Sequence, residues 1–282
     1  MAHRKRTPRQ WASERLERME DLSISKIVPS ALTLLGLCSG ATAIRFALMR
    51  NWKAAVVAIS CAMLFDMLDG RAARRLGADS TFGAHLDSLA DLVSFGLAPA
   101  VVLYTWSLSQ MDDAGWIGAL IFCVCSAIRL ARFNVETVRD EGATHTHPYF
   151  VGLPTPAAAG IMLLPLLLSF EIGNQLVRNP LFSLALIAIT SVLMVSRVPM
   201  PSLKFVQFSR DGGIATVILL GILAVLAVYV PWTTLTLGIL IYVSIIPFVI
   251  YRSHVGGGAA ETLSPVPIYS EDGRDPPRSP SS

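Results

Sequence analysis

Charged residues are scarce in this sequence. Only 15% of the 282 residues are Asp, Glu, Lys or Arg, whereas ordinary soluble domains carry about 25%. The hydrophobic fraction is correspondingly high, at 53%. This composition excludes an ordinary soluble domain as the main part of the chain, and it indicates that most residues lie in lipid.

Cysteine is also rare, and no C-x-x-C pair occurs. The four cysteines (Cys38, Cys61, Cys123 and Cys125) all lie in apolar stretches, which is typical of small buried hydrophobic residues rather than of disulfides or zinc ligands. The sequence also lacks a basic run interleaved with aromatic residues. We therefore expect no nucleic-acid partner.

Long apolar segments are what the sequence does have. A spanning α-helix needs about 20 mostly apolar residues, and eight segments come close to that length or exceed it. We therefore predict an all-α, polytopic integral membrane protein with about eight transmembrane helices. The segments are roughly 27–49, 53–75, 82–106, 114–133, 155–173, 180–196, 213–230 and 233–251.

The two ends of the chain differ in composition from this membrane domain, which we assign to 25–252. Residues 1–24 are a basic tail, for which a short amphipathic helix in the lipid interface and a solvated charged segment are equally compatible readings. Residues 253–282 are rich in Gly, Pro and Ser, and we expect them to be disordered.

The basic residues are distributed unevenly between the connecting segments. If the N-terminus is cytoplasmic, all of the 23 Lys and Arg residues lie on the cytoplasmic side except Arg45, Arg50, Lys53 and Arg178. Lys and Arg concentrate on the cytoplasmic side of membrane proteins. The imbalance therefore predicts an even number of spans with both termini in the cytoplasm.

Four aspartates interrupt the second and third apolar segments. Asp66 and Asp69 share one helix face because they are three residues apart, and Asp87 and Asp91 share another because they are four apart. Two antiparallel helices would bring both pairs together near the cytoplasmic surface. Four carboxylates at one point repel each other unless cations neutralise them. Hard oxygen ligands favour Mg²⁺, Mn²⁺ or Ca²⁺, so we predict a site for divalent cations that faces the cytoplasm.

Small residues accompany the aspartates. Gly70, Ala73 and Gly83 leave the helix surface bare, so a bulky ligand can approach the backbone closely. Arg74 lies beside them and can bind a phosphate. Metal ligands plus an arginine, without a nucleophilic Cys or a Ser–His pair, suit phosphoryl transfer, in which a protein mainly positions groups and neutralises charge.

The spacing of these residues resembles a known family signature. The stretch reads D-x-x-D-G-x-x-A-R-x8-G-x3-D-x3-D, which matches the signature of the CDP-alcohol phosphotransferases at every specified position. The matching residues are Asp66, Asp69, Gly70, Ala73, Arg74, Gly83, Asp87 and Asp91. The resemblance implies a site for two metal ions bound by all four aspartates, of which Asp91 also acts as the base. It also implies a homodimer.

The same resemblance implies a nucleotide site. In that family the motif's Gly and Ala leave room for the CDP moiety of CDP-diacylglycerol, and its Arg binds the phosphates. Ser80 occupies a position at which relatives carry a phosphate-binding hydroxyl. The family's P-N-x-x-T pattern, which helps to hold the nucleotide, begins here at Pro29, retains Thr33, and has Ser30 in place of Asn.

Two further stretches resemble the bacterial membrane-integral phosphatidylserine synthases of this family. They are "SAIRLARFN", which ends at Asn134, and "FVGLPTPAAAG", which starts at Phe150. The resemblance implies transfer of the phosphatidyl group to L-serine in the bacterial inner membrane. Arg129 and Arg132 share a helix face and could bind the serine carboxylate, with Asn134 nearby. Alternatively, both arginines anchor the helix by extending to the lipid interface.

Two other functions stay open at this point. The same chemistry could use another alcohol, such as glycerol 3-phosphate or an inositol compound, which would require a different basic cluster near Arg129. An ion-coupled transporter could also carry carboxylates within the membrane. The clustering of the aspartates at one surface and the lack of matching broken helices in two halves argue against a transporter.

Overall fold

The computed structural model describes residues 24–77, 80–140, 150–173, 177–196, 199–200, 221–222 and 225–256. These residues are almost entirely helical, so the all-α prediction is confirmed. The helices are α1 Ile24–Leu48, α2 Trp52–Leu76, α3 Thr81–Asp91, α4 Ala98–Trp106, α5 Asp112–Asp140, α6 Thr155–Ile172, α7 Pro180–Val195 and α8 Pro231–Gly256.

Short irregular elements join some of these helices. A π-helical segment, Leu92–Leu97, makes α3 and α4 one continuous rod, and a 3₁₀ turn, Leu108–Met111, leads into α5. Two two-residue strands, Phe150–Val151 (β1) and Pro199–Met200 (β2), pair antiparallel and tie the entry of α6 to the exit of α7.

The reversal between α2 and α3 has local causes. Gly77 ends α2 in a left-handed conformation with φ +57°, and its N–H donates to the carbonyl of Ala73, as is usual for a glycine just beyond a helix C-terminus. Ser80 caps α3 by accepting a hydrogen bond from the N–H of Gly83 at 3.0 Å. One helix therefore ends and the next begins within a few residues, and the two aspartate pairs face each other.

Small residues allow α1 to pack tightly against its neighbours. Ser39 Oγ donates to the carbonyl of Ala58 on α2 at 2.8 Å, and Ser94 Oγ donates to the carbonyl of Gly36 at 3.2 Å. A Cβ added to Gly40 would lie 2.6 Å from the Cα of Ser94. Close backbone approach at small residues and hydrogen bonds between helices are typical of packing in lipid.

Helix α6 is the most enclosed of the four candidate membrane-spanning helices, with 67% of its residues buried. Helices α4, α7 and α8 and the π-helical segment pack around it, and α5 makes a smaller contact. A Cβ on its Gly160 would lie 3.4 Å from Cγ1 of Ile239 on α8. The N-terminal end of α6, where Thr155 is completely buried, therefore lies inside the bundle beside α5.

Four helical stretches are long and apolar enough to cross a membrane: Ile27–Leu48, Thr81–Trp106, Leu108–Val135 and Thr155–Ile172. Two shorter apolar helices are Pro180–Val195 and Pro231–Pro247. The described part of the chain thus has the helices of a membrane protein, whereas the count of eight spans stays a prediction. Most of the predicted segment 213–230 lies outside the described residues, as do residues 1–23 and 257–282.

Tryptophans mark the end of the bundle opposite the aspartates. Trp52 begins α2, Trp106 ends α4, and Trp116 and Trp232 lie near the starts of α5 and α8. Trp52 lies roughly 20–25 Å along α2 from Asp66 and Asp69 at 1.5 Å per residue. Tryptophans concentrate where helices meet the membrane–water interface, so these residues are placed as an aromatic belt would be.

Candidate active site

Three carboxylates converge between α2 and α3. One oxygen from each of Asp66, Asp69 and Asp87 lies within 4.8 Å of the other two. Asp69 is buried, with 5% of its surface exposed, and the other two are half-buried. The helical spacing that predicted two facing aspartate pairs thus corresponds to a real cluster in the fold.

Asp91 lies in the same cleft as these three residues, one helical turn beyond Asp87. Its carboxylate is close enough to those of Asp66, Asp87 and Asp69 for their charges to interact. Asp91 is not one of the residues whose carboxylate oxygens lie within 4.8 Å of one another. Asp91 is therefore adjacent to the cluster, at its deeper side along α3.

The donor set of the cluster fits a divalent cation. Like charges at this separation destabilise one another in a buried position, and a bound cation removes that cost. Carboxylate oxygens are the ligands that Mg²⁺, Mn²⁺ and Ca²⁺ prefer. The enclosed space beside the carboxylates is about 10 Å³, which is about the room of one water molecule. The cleft can therefore enclose an ion, whereas a ligand larger than an ion would have to lie at its mouth.

Thr33 supports the cluster from α1. Its hydroxyl lies 2.6 Å from Oδ2 of Asp69 and 3.1 Å from the carbonyl of Pro29. Residues that hydrogen-bond to a ligating carboxylate fix its orientation. The sequence predicted Thr33 as a nucleotide contact; its partner in the fold is the carboxylate of Asp69, 36 residues further along the chain. Sequence spacing carried no signal for that contact.

The residues predicted to bind CDP lie beside the cluster. The guanidinium of Arg74 covers the bare surface of Gly70, with Nη1 3.7 Å from the position that a Cβ would occupy. Ala73 is half-buried on the same helix, and Ser30 is half-buried one turn before Thr33 on α1. An exposed arginine beside a bare helix face and a carboxylate cluster is suited to a phosphorylated ligand.

Ser80 and Gly83 have a structural role at the start of α3. Ser80 Oγ accepts the hydrogen bond that caps the helix, and a Cβ on Gly83 would lie 3.1 Å from that oxygen. A hydroxyl that accepts one bond can still donate another. The capping role therefore leaves the predicted phosphate contact of Ser80 open.

The three residues predicted to bind serine point in different directions. Arg129 Nη1 donates to Thr155 Oγ1 at 2.8 Å, and its guanidinium is close enough to Asp91 for their charges to interact. Arg132 Nη1 donates to the carbonyl of Val195 at 3.0 Å. Asn134 Oδ1 lies 2.9 Å from the hydroxyl of Ser88. Of the two arginines, Arg129 is therefore the one directed toward the acidic site.

A π-helical segment follows Asp91 directly, which the sequence did not predict. It runs from Leu92 to Leu97 and contains Ser94, which donates to α1, and Gly96, which packs against Ser126 of α5. π-Helical turns within α-helices often occur at functional sites. Here the segment changes the helical phase just beyond the last aspartate and packs closely on both neighbouring helices.

A protein-family model described as CDP-alcohol phosphatidyltransferase matches residues 26–201 of this chain. The chain belongs to this family. The predicted family resemblance is therefore confirmed, and the matched region contains the whole aspartate motif from Asp66 to Asp91.

Curated relatives of this CDP-alcohol phosphatidyltransferase share one name, CDP-diacylglycerol–serine O-phosphatidyltransferase. The relative from Mycobacterium leprae (strain TN) is 41% identical over 229 residues, which cover 80% of this chain and 75% of that protein. The relative from Bacillus subtilis (strain 168) is 36% identical over 177 residues, covering 63% of this chain and 91% of that protein. The relative from Methanocaldococcus jannaschii is 38% identical over 181 residues, which cover 64% of this chain and 77% of that protein.

Proposed function

We propose that this enzyme transfers the phosphatidyl group of CDP-diacylglycerol to the hydroxyl of L-serine and releases CMP. The observation that carries the proposal is the convergence of three aspartates of the family motif within 4.8 Å. The names of the relatives supply the substrates. Eight apolar segments and the uneven distribution of Lys and Arg support a location in the cytoplasmic membrane, with eight spans and both termini in the cytoplasm.

The four aspartates would hold two divalent cations, Mg²⁺ or Mn²⁺. When bound, such ions neutralise phosphate charge and polarise the phosphorus toward attack. Asp66, Asp69 and Asp87 supply oxygens from two different helices. Asp91 completes the set from the deeper turn of α3. The hydroxyl of Thr33 keeps Asp69 in its ligating orientation.

The nucleotide would lie at the mouth of the cleft. Gly70, Ala73 and Gly83 leave helix surface open to the CDP moiety, and Arg74 contacts its phosphates. Ser30 and Ser80 flank this surface from α1 and from the start of α3. The acyl chains of CDP-diacylglycerol would remain in the bilayer beside the bundle.

The reaction needs no covalent enzyme intermediate. The serine hydroxyl oxygen attacks the phosphorus that carries the diacylglycerol, a new phosphorus–oxygen bond forms, and the bond to CMP breaks. Asp91 accepts the hydroxyl proton, and Arg74 stabilises the charge on the departing CMP. Holding the two reactants in a reactive orientation can account for a large part of the decrease in activation free energy. Arg129 would orient the serine, with Arg132 and Asn134 shaping that side of the pocket.

Release of CMP from purified protein tests the proposal. With CDP-diacylglycerol and Mn²⁺ or Mg²⁺, we expect turnover with L-serine and little with glycerol 3-phosphate or inositol. Exhaustive chelation should abolish CMP release, and either cation should restore it. Preference for another alcohol would change the assigned substrate. Full activity in EDTA would contradict the metal-dependent mechanism, and absence of CMP release with every alcohol would favour the transporter.

A further inference from the structure

Arg129 is fixed in place by a residue outside the aspartate motif. Its Nη1 donates at 2.8 Å to the hydroxyl of Thr155, the first residue of α6. Thr155 is completely buried, so its hydroxyl cannot turn outward to bind solvent instead. A guanidinium held by a buried partner keeps one orientation, and its positive charge acts on the carboxylate of Asp91.

Helix α8 carries a second polar group within electrostatic range of Arg129. Ile239 on α8 packs on Gly160 of α6, and Tyr242 lies one turn further on the same face. The Tyr242 hydroxyl oxygen is buried and has no hydrogen-bond partner among the described residues. It lies near enough to Arg129 for the positive charge to act on it. A buried hydroxyl without a partner is costly in a folded protein, and a role in binding or catalysis is one explanation for it.

We propose that Tyr242 and Arg129 together bind the carboxylate of L-serine, with Thr155 as the residue that positions Arg129. This inference rests on the proposed function and adds to it a residue from α8, beyond the region 26–201 matched by the family model. The tyrosine hydroxyl and the guanidinium both donate hydrogen bonds, and a carboxylate accepts from both.

The geometry of serine agrees with this assignment. Only two carbon atoms separate its carboxyl carbon from its hydroxyl oxygen, so a carboxylate bound at Arg129 keeps the hydroxyl close to the residue that takes its proton. Arg129 interacts with Asp91, which has that role in the proposed reaction. A subsite distant from Asp91 would hold the amino acid without presenting the hydroxyl.

Kinetics of Tyr242→Phe test the inference, because this change removes a single oxygen. A hydrogen bond to a charged group contributes enough for its loss to raise KM for serine by about tenfold or more. We expect KM for CDP-diacylglycerol and kcat at saturating serine to stay within about threefold of the parent enzyme. Tyr104→Phe is the matched control, because Tyr104 is also half-buried but packs against Trp116, and it should leave KM for serine unchanged.

Variants of Thr155 test the positioning role. Thr155→Val removes the acceptor for Arg129 and should also raise KM for serine, whereas Thr155→Ser keeps the hydroxyl and should restore it. Thr236→Val on α8, where the hydroxyl bonds only its own helix at the Trp232 carbonyl, is the control for loss of a buried threonine hydroxyl.

The outcomes distinguish the two proposals. If the parent enzyme releases no CMP with serine, the proposed function fails. If the parent uses serine but Tyr242→Phe keeps its KM for serine within twofold, the carboxylate subsite fails and the function stands. An equal rise in KM for both substrates, or failure of Thr155→Ser to restore KM, would also overturn the subsite.

Discussion

At the scale of single residues, the site depends on supports that lie far away in sequence. Asp69 is buried and accepts a hydrogen bond from Thr33 on another helix. This hydrogen bond restricts the orientation of the Asp69 carboxylate, one oxygen of which lies within 4.8 Å of an oxygen of Asp66 and of Asp87. The Thr33 hydroxyl selects that orientation before any ion binds, which lowers the cost of assembling the cluster.

Thr33→Val should therefore weaken metal binding more than it weakens the fold. Loss of a residue that hydrogen-bonds to a metal ligand typically costs about 10–100-fold in metal affinity. We expect the Mn²⁺ concentration that gives half-maximal CMP release to rise by that factor. Thr33→Ser keeps the hydroxyl and is the matched control. An unchanged Mn²⁺ dependence in Thr33→Val would show that Asp69 needs no support from α1.

Replacement of Asp91 should separate the binding of CDP-diacylglycerol from the chemical step. Asp91→Asn keeps the shape of the side chain and one ligating oxygen, but removes its charge and its basicity. We expect the variant to fold and to bind CDP-diacylglycerol with a divalent cation. Serine-dependent CMP release should fall by about 10²–10⁴-fold, the usual contribution of a general base.

Both properties of Asp91→Asn should be measured on one preparation. Near-normal turnover would remove Asp91 from the role of base. Loss of nucleotide binding together with turnover would assign Asp91 to metal binding alone, and another residue would then have to accept the proton.

At the scale of the elements, the rod formed by α3, the π-helical segment and α4 links the chemistry to the packing. Asp87 and Asp91 lie just before the segment, and Ser94 within it contacts both Gly36 and Gly40 of α1. Any displacement of α1 at this crossing would therefore move the turn that carries Asp91. The glycines of α1 keep the two backbones close enough for the four carboxylates to face one cleft.

Gly40→Ala should test this crossing. The new Cβ would lie 2.6 Å from the Cα of Ser94, so the backbones must separate, and overpacking of this kind costs about 1–3 kcal/mol. We expect a lower midpoint of thermal unfolding in detergent and reduced CMP release. Gly238→Ala on α8, where the described residues place no neighbouring atom within 4 Å of the new Cβ, should retain or slightly raise the midpoint. Equal midpoints for both variants would contradict the close crossing.

The elements also explain what the sequence could and could not predict. Helical spacing predicted that Asp66 would share a face with Asp69, and Asp87 with Asp91, because periodicity reports on faces within one helix. It could not predict the partner of Thr33 or of Arg129, because each partner lies on another helix. Nor could it predict the π-helical turn at Leu92–Leu97, whose residues Ser94 and Gly96 pack against α1 and α5.

Arg132 illustrates the same limit. Its spacing from Arg129 was compatible with a pair that binds one carboxylate and with two anchors at the lipid interface, and its guanidinium donates to the carbonyl of Val195 where α7 ends. A cation near the C-terminus of a helix is stabilised by the carbonyl groups exposed there. Two arginines on one helix face thus reach different partners, and the division depends on where α6 and α7 lie.

At the scale of the whole molecule, charge and aromatic residues distinguish the two ends of the bundle. The cytoplasmic side predicted from Lys and Arg carries the aspartate cluster, Arg74 and Arg129. The opposite end carries Lys53, whose ammonium lies 5.8 Å from the ring centres of both Phe170 and Trp232, and Arg178, which lies over Trp106. Aromatic rings stabilise these cations where they lie. Their presence at this end therefore does little to contradict the orientation predicted from the other Lys and Arg residues.

Fusions of a reporter that is fluorescent only in the cytoplasm should determine the orientation. We expect fluorescence when the reporter follows residue 282 or residue 140, because both positions lie on the side that holds most Lys and Arg. A fusion after Gln110, between α4 and α5, should be dark, since that connection lies at the tryptophan end. An enzymatic reporter active only outside the cytoplasm should give the inverse pattern.

Fluorescence after Gln110 would reverse the orientation and place the aspartate cluster outside the cytoplasm, where it could not meet a cytoplasmic supply of serine. A dark fusion after residue 282 with a fluorescent one after residue 140 would instead give an odd number of spans beyond α5, and would remove the eight-span topology while leaving the site on the cytoplasmic side.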